Sequence, residues 1–343
     1  MYNKGKIIEM HREIPEMMKD NVLALLLSTD GFLSGEVMSE KLGVSRMTVS
    51  KAVATLREEG YDIASLTNRG YRLTRGAPRL TLGEILPYLP EKRAENVFCF
   101  DTIDSTNKRA KELAADGAPS GTVVISAAQT AGRGRRGRSF LSPKGKGVYL
   151  SYLFRPTCTP EDSTVLTALT AVAARRAILS ACGLSVGIKW VNDLILNERK
   201  IAGILTELSL ESESGHIDFA VIGIGINVSE RKEDFPEELR CKATSLAAES
   251  GEEISAPRLA AALIAKMDEM TAAFPTETAA YLEEYRAANV TTGRQVIVRA
   301  PGGDRSAVAL GINDDFSLRV RYENEEEQTV FTGEVAVRGL YGE

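Results

Sequence analysis

The feature that most restricts the fold of this chain is a basic, glycine-rich stretch between two apolar segments. Residues 132–138 hold four arginines and three glycines, and they lie between the apolar runs 122–127 and 147–153. Each apolar run has the length and composition of a buried β-strand. Burying several charges without partners is very costly, so the stretch must either face water or contact a ligand.

Taken alone, the residues of this loop allow two interpretations. Glycine lets a backbone turn tightly and approach a ligand closely, and each guanidinium can hold a phosphate or carboxylate through two parallel hydrogen bonds. These properties favour an anion-binding loop. A solvated hairpin tip or a basic nuclear-type signal has the same composition, so other segments are needed to choose.

The bulk composition is that of an ordinary globular protein. The chain has 343 residues, of which 43% are hydrophobic and 26% charged, and a formal net charge of -5. This length allows two or three domains, and the acidic balance argues against general binding to nucleic acid or anionic membrane. We expect no transmembrane helix, no secretory signal and a cytoplasmic location. Four scattered cysteines and only two histidines, His11 and His216, predict no disulfide, no zinc site and no histidine-based catalysis.

The N-terminal part predicts a winged helix-turn-helix domain at residues 21–76, preceded by an extension at 1–20. An apolar helical segment at 22–27 is followed by a helix after Ser34, a turn at 43–45 and a third helix from Arg46 to about Glu59. Apolar residues at three- and four-residue spacing give the third helix one buried face. Its other face is then free to enter a DNA major groove, with two short strands around 67–69 as the wing.

Five residues of the third helix and the wing are the expected DNA contacts. They are Ser45, Arg46, Thr48, Lys51 and Arg69. The domain has seven Lys/Arg and six Asp/Glu, so phosphate contacts depend on a local cationic cluster on the third helix and the wing, namely Arg46, Lys51, Arg69, Arg72 and Arg75. Glu36 and Glu40 on the second helix are expected to lie away from it. The alternative is a winged helix that is used for protein contacts or is merely retained.

Residues 77–289 predict a mixed α/β domain and residues 290–343 a small all-β, barrel-like module, which makes the whole chain a multidomain α+β protein. In the central domain Lys189 and Asp193 flank a strand-to-turn transition, and Lys200 opens a strand. Gly223 and Gly225 leave a strand bare, so that a flat ligand can lie against it. Neither a G-x-G-x-x-G nor a G-x-x-x-x-G-K-[ST] spacing is present, which excludes those two phosphate-binding loops.

This combination resembles the bacterial bifunctional biotin–protein ligases and biotin-operon repressors. The matching segments occur in the family's order at 104–107, 129 with 132–138, 189–193, 199–205, 223–227 and 333–335. Val191 stands where the family usually has proline after the tryptophan. We expect this departure to loosen a turn while Lys189, Asn192 and Asp193 stay in place.

The resemblance implies a catalytic domain similar to class II synthetases, a C-terminal SH3-like β-barrel and biotin–[acetyl-CoA-carboxylase] ligase activity. In this family the carboxylate of biotin attacks the α-phosphate of MgATP, giving biotinyl-5′-AMP and pyrophosphate. A lysine of a biotin carboxyl carrier domain then takes the biotin and AMP leaves. Ligand-ordered loops also promote a homodimer whose two winged helices read a two-fold operator, with no membrane partner.

By the same resemblance, the catalytic residues are Lys200, Arg135 and Lys189, and Asp193 either faces Mg²⁺ through ATP or orients Lys189. Residues expected to bind biotin or biotinyl-AMP are Ser105, Thr106, Asn107, Gln129, Gly132, Arg133, Gly134, Arg135, Arg138, Lys200, Gly203, Gly223, Gly225 and Asn227. Cationic groups suit a reaction between two anions, because they neutralise both partners and the developing charge. Two other interpretations are a non-catalytic regulator that senses biotin or its adenylate, and a lipoate-type ligase.

Overall fold

A computed structural model describes residues 14–75, 79–156, 163–210, 217–300 and 303–341. His11, His216, Cys158, most of the predicted N-terminal extension and the linker at 76–78 lie outside these ranges. Cys182 and Cys241 are free thiols, the first partly buried and the second exposed.

Three helices and a hairpin form the N-terminal winged helix. They are α1 (Ile14–Leu27), α2 (Gly35–Leu42), α3 (Arg46–Glu58), β1 (Asp62–Leu66) and β2 (Gly70–Arg75). Ser34 and Ser45 cap α2 and α3, because each hydroxyl accepts a hydrogen bond from a first-turn backbone amide. Gly43 ends α2 with φ 65°, a left-handed conformation that glycine adopts without strain. The predicted helix-turn-helix is confirmed, although the boundary predicted after residue 20 lies inside α1.

The winged helix packs directly against the start of the central domain. Tyr61 is buried beneath α3, and its hydroxyl donates a 2.8 Å hydrogen bond to the Glu84 carboxylate. The Asp20 carboxylate accepts from the backbone amide of Gly83 at 3.2 Å. A Cβ at Gly83 would lie only 3.0 Å from the backbone of Asp20, so α1 approaches this segment very closely. The two domains are therefore held together by buried polar contacts as well as by apolar packing.

A seven-stranded mixed sheet organises the central domain. Its strands are β3 (Val97–Phe100), β4 (Val123–Ser126), β5 (Gly147–Phe154), β6 (Gly187–Lys189), β7 (Asp193–Leu196), β8 (Arg199–Leu210) and β9 (Ile217–Asn227), in the order β3-β4-β5-β9-β8-β7-β6. Among the strands of the described residues, only β3 and β4 are parallel neighbours in this sheet. The helices are α4 (Leu82–Ile85), α5 (Thr106–Ala115), α6 (Ser163–Cys182), α7 (Leu246–Ser250), α8 (Ala256–Ala273) and α9 (Ala279–Ala288). The predicted mixed α/β architecture is confirmed.

Helices cover both faces of this sheet. Helices α6 and α8 bury one face with residues such as Leu166, Val172 and Leu263. Helix α5 covers part of the other face through Ala110 and Leu113. The strand ends beyond α5 are left free for side chains from the loops, and the candidate site lies there.

Helix α6 is long and apolar. Within the described residues, Thr164–Cys182 form the one helix whose length and composition alone would allow it to cross a membrane. Of its most apolar stretch, 61% is buried inside the protein. Its composition is explained by this position, because a helix surrounded by core residues is apolar on every side.

The C-terminal segment is a five-stranded antiparallel sheet. Its strands are β10 (Gln295–Ala300), β11 (Gly303–Ile312), β12 (Leu318–Tyr322), β13 (Glu327–Val330) and β14 (Glu334–Val337), in the order β13-β12-β11-β10-β14. Leu318, Val320 and Tyr322 alternate inward along β12 and join a core that is continuous with that of the central domain. The predicted all-β module is confirmed, and its core contacts fix it beside the central sheet.

We expect Glu230 to make stability depend on pH. Its side chain is buried after β9, and this burial raises the pKa of Glu230 to about 8, against the opposing effect of nearby backbone amides and Lys146. The folded state therefore holds a proton that the unfolded chain, with an ordinary glutamate pKa of about 4.3, has lost. This contribution to stability is complete below the unfolded pKa and is lost as the pH rises through the folded pKa.

The Tm of Glu230→Gln minus the Tm of the wild type should consequently increase as the pH rises from 5 to about 8. Thermal unfolding across this range measures the effect, with Glu237→Gln on an exposed neighbouring turn as control. A constant difference in Tm at every pH would contradict the assignment.

Candidate functional site

The arginine loop is a short hairpin closed by its own backbone. The amide of Gly134 donates to the Arg138 carbonyl at 2.7 Å. At the tip, Arg136 (φ 56°) and Gly137 (φ 73°) adopt left-handed conformations. The hairpin interpretation and the anion-binding interpretation are therefore compatible, and the positions of the side chains decide what the loop can bind.

Glu334, at the start of β14, gathers three arginines around one carboxylate. It accepts hydrogen bonds from Arg138 Nη2 at 2.8 and 2.9 Å and from Arg299 Nη1 at 3.1 Å. Arg136 lies 3.8 Å away. The C-terminal sheet thus holds the outer part of the loop.

Arg135 and Arg133 point in different directions. Arg135 Nη1 donates to Asn192 Oδ1 at 3.1 Å, and burial lowers the pKa of Arg135 while Asp193 acts in the opposite sense. Arg133 is exposed and lies on the lining of a small cavity. One arginine is therefore fixed inside the site and the other is available at its mouth.

This small cavity, of about 60 Å³, lies between the loop and strands β8 and β9. Eleven of the predicted residues line it, namely Ser105, Thr106, Asn107, Gln129, Arg133, Gly134, Arg135, Lys200, Gly203, Gly223 and Gly225. Phe140, Tyr149 and Leu205 also line it and were not predicted. Residues spread over more than a hundred positions of the chain thus converge on one space.

Hydrogen bonds join the polar residues of its floor. Thr106 donates to Gln129 Oε1 from its amide at 2.9 Å and from its hydroxyl at 3.1 Å. The Ser151 hydroxyl lies 2.8 Å from Thr106 Oγ1 and 2.5 Å from Asn107 Oδ1. Thr106, Asn107 and Ser151 are buried and Gln129 is partly buried, so their mutual hydrogen bonds fix the side chains in place.

The strand glycines admit protein side chains and do not leave a bare surface. A Cβ at Gly223 would lie 2.2 Å from Asn107 Oδ1, and one at Gly225 would lie 2.5 Å from the Phe140 ring. Asn107 and Phe140 lie over the two glycines, which also line the cavity, so the expected contact with a flat ligand stays a prediction. The glycines are needed because Asn107 and Phe140 approach the strand more closely than any larger residue allows.

A cluster of opposite charges lies beside the cavity. Lys200 Nζ contacts Asp193 Oδ1 at 2.6 Å, and Lys189 Nζ lies 3.6 Å from Asp193 Oδ2. Burial raises the pKa of Asp193, but Lys200 and Lys189 outweigh it and the pKa is lowered overall. Burial lowers the pKa of Lys189, and Asp193 opposes this shift. A largely buried carboxylate thus keeps two lysines together.

A second cavity, of about 540 Å³, adjoins the first and shares Lys200, Arg135 and Gly134 with it. Its cationic lining residues are Arg135, Arg136, Arg138, Lys189, Lys200, Lys242 and Arg299, and its anionic ones are Asp193, Glu238 and Glu334. This excess of positive charge suits a polyanionic ligand. Of the remaining predictions, Asn227 lines this cavity, whereas Gly132 lies in the loop with its Cβ position 2.5 Å from the Phe140 carbonyl.

The turn after β6 is held on both sides despite the absence of proline. The Trp190–Val191 peptide bond is cis. The Trp190 amide donates to Thr291 Oγ1 and its indole donates to the Phe316 carbonyl, both at 2.9 Å. Asn192 Nδ2 donates to the Ile204 carbonyl at 3.0 Å. Contacts with the C-terminal segment therefore position this turn.

The five predicted DNA-contact residues lie at the start and outer face of α3 and in the wing. Ser45 and Thr48 share the helix cap, and Lys51 is exposed. Arg46 pairs with Glu36 at 2.5 Å, so the expectation that Glu36 lies away from the basic cluster is wrong. Helix α2 has only eight residues, and the long side chains of Glu36 on α2 and Arg46 on α3 bridge the two helices.

Several contributors to the site carried no local signal in the sequence. Phe140 follows the arginine loop, but its side chain is of the kind expected in a core. Tyr341 contacts Lys189 from the far end of the chain, with Lys189 Nζ 5.1 Å from the centroid of its ring. Glu207 contacts Asn107 from the middle of β8. Each was missed because its partner is distant in sequence.

Comparisons with known proteins agree with this geometry. Residues 99–227 match the model of the biotin/lipoate A/B protein ligase family, and residues 19–72 match a helix-turn-helix domain. The chain is 40% identical over 239 residues to the bifunctional ligase/repressor BirA of Bacillus spizizenii, covering 69% of this chain and 73% of that protein. The Escherichia coli BirA is 37% identical over 223 residues, 63% of this chain and 66% of its own.

A solved structure is similar as well. The biotin protein ligase from Aquifex aeolicus in complex with biotin and ATP superposes with a TM-score of 0.60 at 26% identity. It covers 71% of this chain and 98% of its own chain.

Gly223→Ala is expected to destabilise the fold by about 1–3 kcal/mol, because overpacking a well-filled site costs this much. The new methyl group would overlap Asn107, whose own partners prevent it from moving away. Urea unfolding measures the change. Gly311→Ala is the matched control, since it is also a strand glycine but its Cβ would have nothing within 4 Å. Equal effects of the two substitutions would contradict the close contact.

Proposed function

The chain belongs to the bifunctional ligase/repressor branch of the biotin/lipoate A/B protein ligase family, and we propose that its adjoining cavities receive the two substrates of biotin activation. The protein is a biotin–protein ligase that uses biotin and ATP, with a DNA-binding repressor domain at its N-terminal side. In the proposed arrangement biotin occupies the small cavity and ATP the large one.

The position of Lys200 carries this proposal. Its side chain lines both cavities, so its ammonium can contact the carboxylate of biotin and the α-phosphate of ATP at the same time. Arg135 is shared in the same way. Attack by the carboxylate oxygen on the α-phosphorus gives biotinyl-5′-AMP and pyrophosphate, and both cations counter the charge that develops between the two anions.

The remaining predicted residues receive roles by location. The polar ring of biotin receives hydrogen bonds from Ser105, Thr106, Asn107 and Gln129. Arg133 lies at the entrance of the cavity. Lys189 and Arg138, in the large cavity, bind the triphosphate. Because Gly203, Gly223 and Gly225 have no side chains, Asn107 and Phe140 can lie close to the strands.

The loop must move for biotin to enter. The small cavity is about 60 Å³, whereas sites for small ligands have about 300 Å³ or more. Phe140 occupies the space above Gly203 and Gly225, so we propose that Phe140 and the outer part of the segment 132–140 shift while Arg135 keeps its place, and then close over the adenylate. Closure would protect the mixed anhydride from water.

Mg²⁺ is proposed to enter with the nucleotide and not to be held by the protein alone. Among the described residues there is no group of three or more histidine, cysteine or acidic side chains that could hold a metal ion. Asp193 is one carboxylate at the large cavity, which suits an ion that is bound mainly through phosphates and water. When bound there, the metal would neutralise phosphate charge, while Asp193 keeps Lys200 and Lys189 in position.

The second half-reaction and the regulatory partners are proposed from the family. The amine of a lysine on a biotin carboxyl carrier domain attacks the acyl carbon of biotinyl-5′-AMP, and AMP leaves. We further propose a cytoplasmic location, and a homodimer in the ligand-bound state that places two winged helices on a two-fold operator.

Two other functions make different predictions. A sensor that binds biotin without turnover would not need the cationic lining of the large cavity, and that lining favours the enzyme. A lipoate-type ligase is disfavoured by the helix-turn-helix domain at residues 19–72.

Biotin-dependent exchange of pyrophosphate into ATP is the test of the ligase activity. The wild type should exchange, and Lys200→Ala should lose about 10²–10³ in rate, as expected when a charge-stabilising group is removed. Lys144→Ala, an exposed residue paired with Asp101, is the control and should keep its activity. No exchange by the wild type would refute the enzyme, whereas full exchange by Lys200→Ala would refute only the role of that lysine.

DNA binding should depend on the ligands and on α3. With DNA upstream of biotin genes, biotin plus ATP should tighten binding, and equal affinity with and without them would exclude the ligand-dependent switch.

Lys51→Met should weaken DNA binding and lower the slope of log affinity against log salt concentration by about one unit, because one phosphate contact is lost. Lys232→Met, exposed on the central domain, should leave both quantities unchanged.

A further inference from the structure

A carboxylate beneath the small cavity has no part in the activation chemistry described above. Glu207, on β8, accepts a hydrogen bond from Asn107 Nδ2 at 2.7 Å and pairs with Lys111 Nζ at 2.6 Å. Asn107 Nδ2 also lies 3.4 Å from the Leu205 carbonyl. The amino group of the Asn107 amide is therefore directed towards β8.

This contact determines which way the Asn107 oxygen points. Asn107 Oδ1 faces Ser151, whose hydroxyl lies 2.5 Å away. Asn107 is only 5% exposed, so most of its hydrogen bonds must come from the protein or from a molecule in the cavity. If the amide turned over, its oxygen would face the Glu207 carboxylate, and two acceptors would repel each other. The negative charge of Glu207 thus selects one orientation of the amide.

The floor of the cavity then has more acceptors than protons. The single Ser151 proton lies within reach of two oxygens, Asn107 Oδ1 and Thr106 Oγ1. It can serve only one of them at a time, and the Thr106 proton is directed to Gln129. One acceptor is left for an N–H group supplied by a ligand, and the ureido ring of biotin has two such groups.

We infer that Glu207 is a positioning residue for biotin, which holds Asn107 so that its oxygen is presented to the N–H groups of the ureido ring. The inference rests on the proposed function of the small cavity. Glu207 itself does not line that cavity and acts only through Asn107.

The local charges keep Glu207 ionised for this task. Burial raises its pKa, but the hydrogen bonds from Lys111 and Asn107 outweigh burial and lower the pKa overall. Lys111 is half-exposed at the outer end of the contact. The carboxylate is therefore charged at neutral pH.

Three variants of the full chain test the inference, with biotin binding measured by calorimetry without ATP and KM values measured by pyrophosphate exchange. Glu207→Gln should weaken biotin binding about tenfold, the equivalent of about 1.4 kcal/mol, because the amide of Asn107 is no longer held in one orientation. Its KM for ATP should stay within about twofold of the wild type, which shows that the fold is intact. Lys111→Met should change biotin affinity by less than about threefold, since it leaves the hydrogen bond between Asn107 and Glu207 in place and a partly exposed ion pair contributes little.

Glu207→Asp keeps the negative charge and should bind biotin more tightly than Glu207→Gln. Unchanged biotin affinity in Glu207→Gln, equal weakening in Glu207→Gln and Lys111→Met, or the reverse order of the Asp and Gln variants would each overturn the inference. The absence of biotin binding and exchange in the wild type would instead overturn the proposed function.

Discussion

The ion pair between Lys200 and Asp193 is the interaction on which the rest of the site depends. Asp193 has only 13% of its side chain exposed, and an unpaired carboxylate in such a place is strongly unfavourable. Lys200 and Lys189 offset that cost, and Arg135 adds a third positive charge nearby. One carboxylate among three cations leaves a net positive charge at the junction of the two cavities. This excess makes the junction suitable for two anions.

The same junction explains why the central sheet is built with glycines. Phe140 packs over Gly225 and near Gly203, while Asn107 packs over Gly223. With larger residues on these strands, the loop could not lie close enough for Arg135 to reach Asn192. The same glycines therefore allow both the close packing of Asn107 and Phe140 on the strands and the position of Arg135. It also accounts for the small volume of the first cavity, since the loop fills space that a ligand has to regain.

Local features of the site were predictable from the sequence, and long-range contacts were not. The serine caps of the helices and the arginine loop follow from residue types at fixed spacing, and this spacing also placed Lys200 at the start of a strand. By contrast, Asn107 and Glu207 are 100 residues apart, and Arg138 and Glu334 are 196 apart. Such pairs depend on strand register and on how the C-terminal sheet packs, which no single stretch of sequence encodes. The error on Arg46 and Glu36 has the same origin, because it depends on how two helices cross.

The contacts of the arginine loop indicate how it can be ordered and still release its partners. Arg138 is 62% exposed in its pair with Glu334, and exposed pairs contribute about 0–1 kcal/mol because water screens them. Exchanging Glu334 for a phosphate therefore costs little. Arg135, in contrast, is largely buried and hydrogen-bonded to Asn192, so its displacement would cost more. The outer part of the loop is thus the part that a ligand can rearrange, while Arg135 keeps its place beside Lys200. A loop held firmly at one arginine and weakly at another can open for biotin without dispersing the cations that activate it.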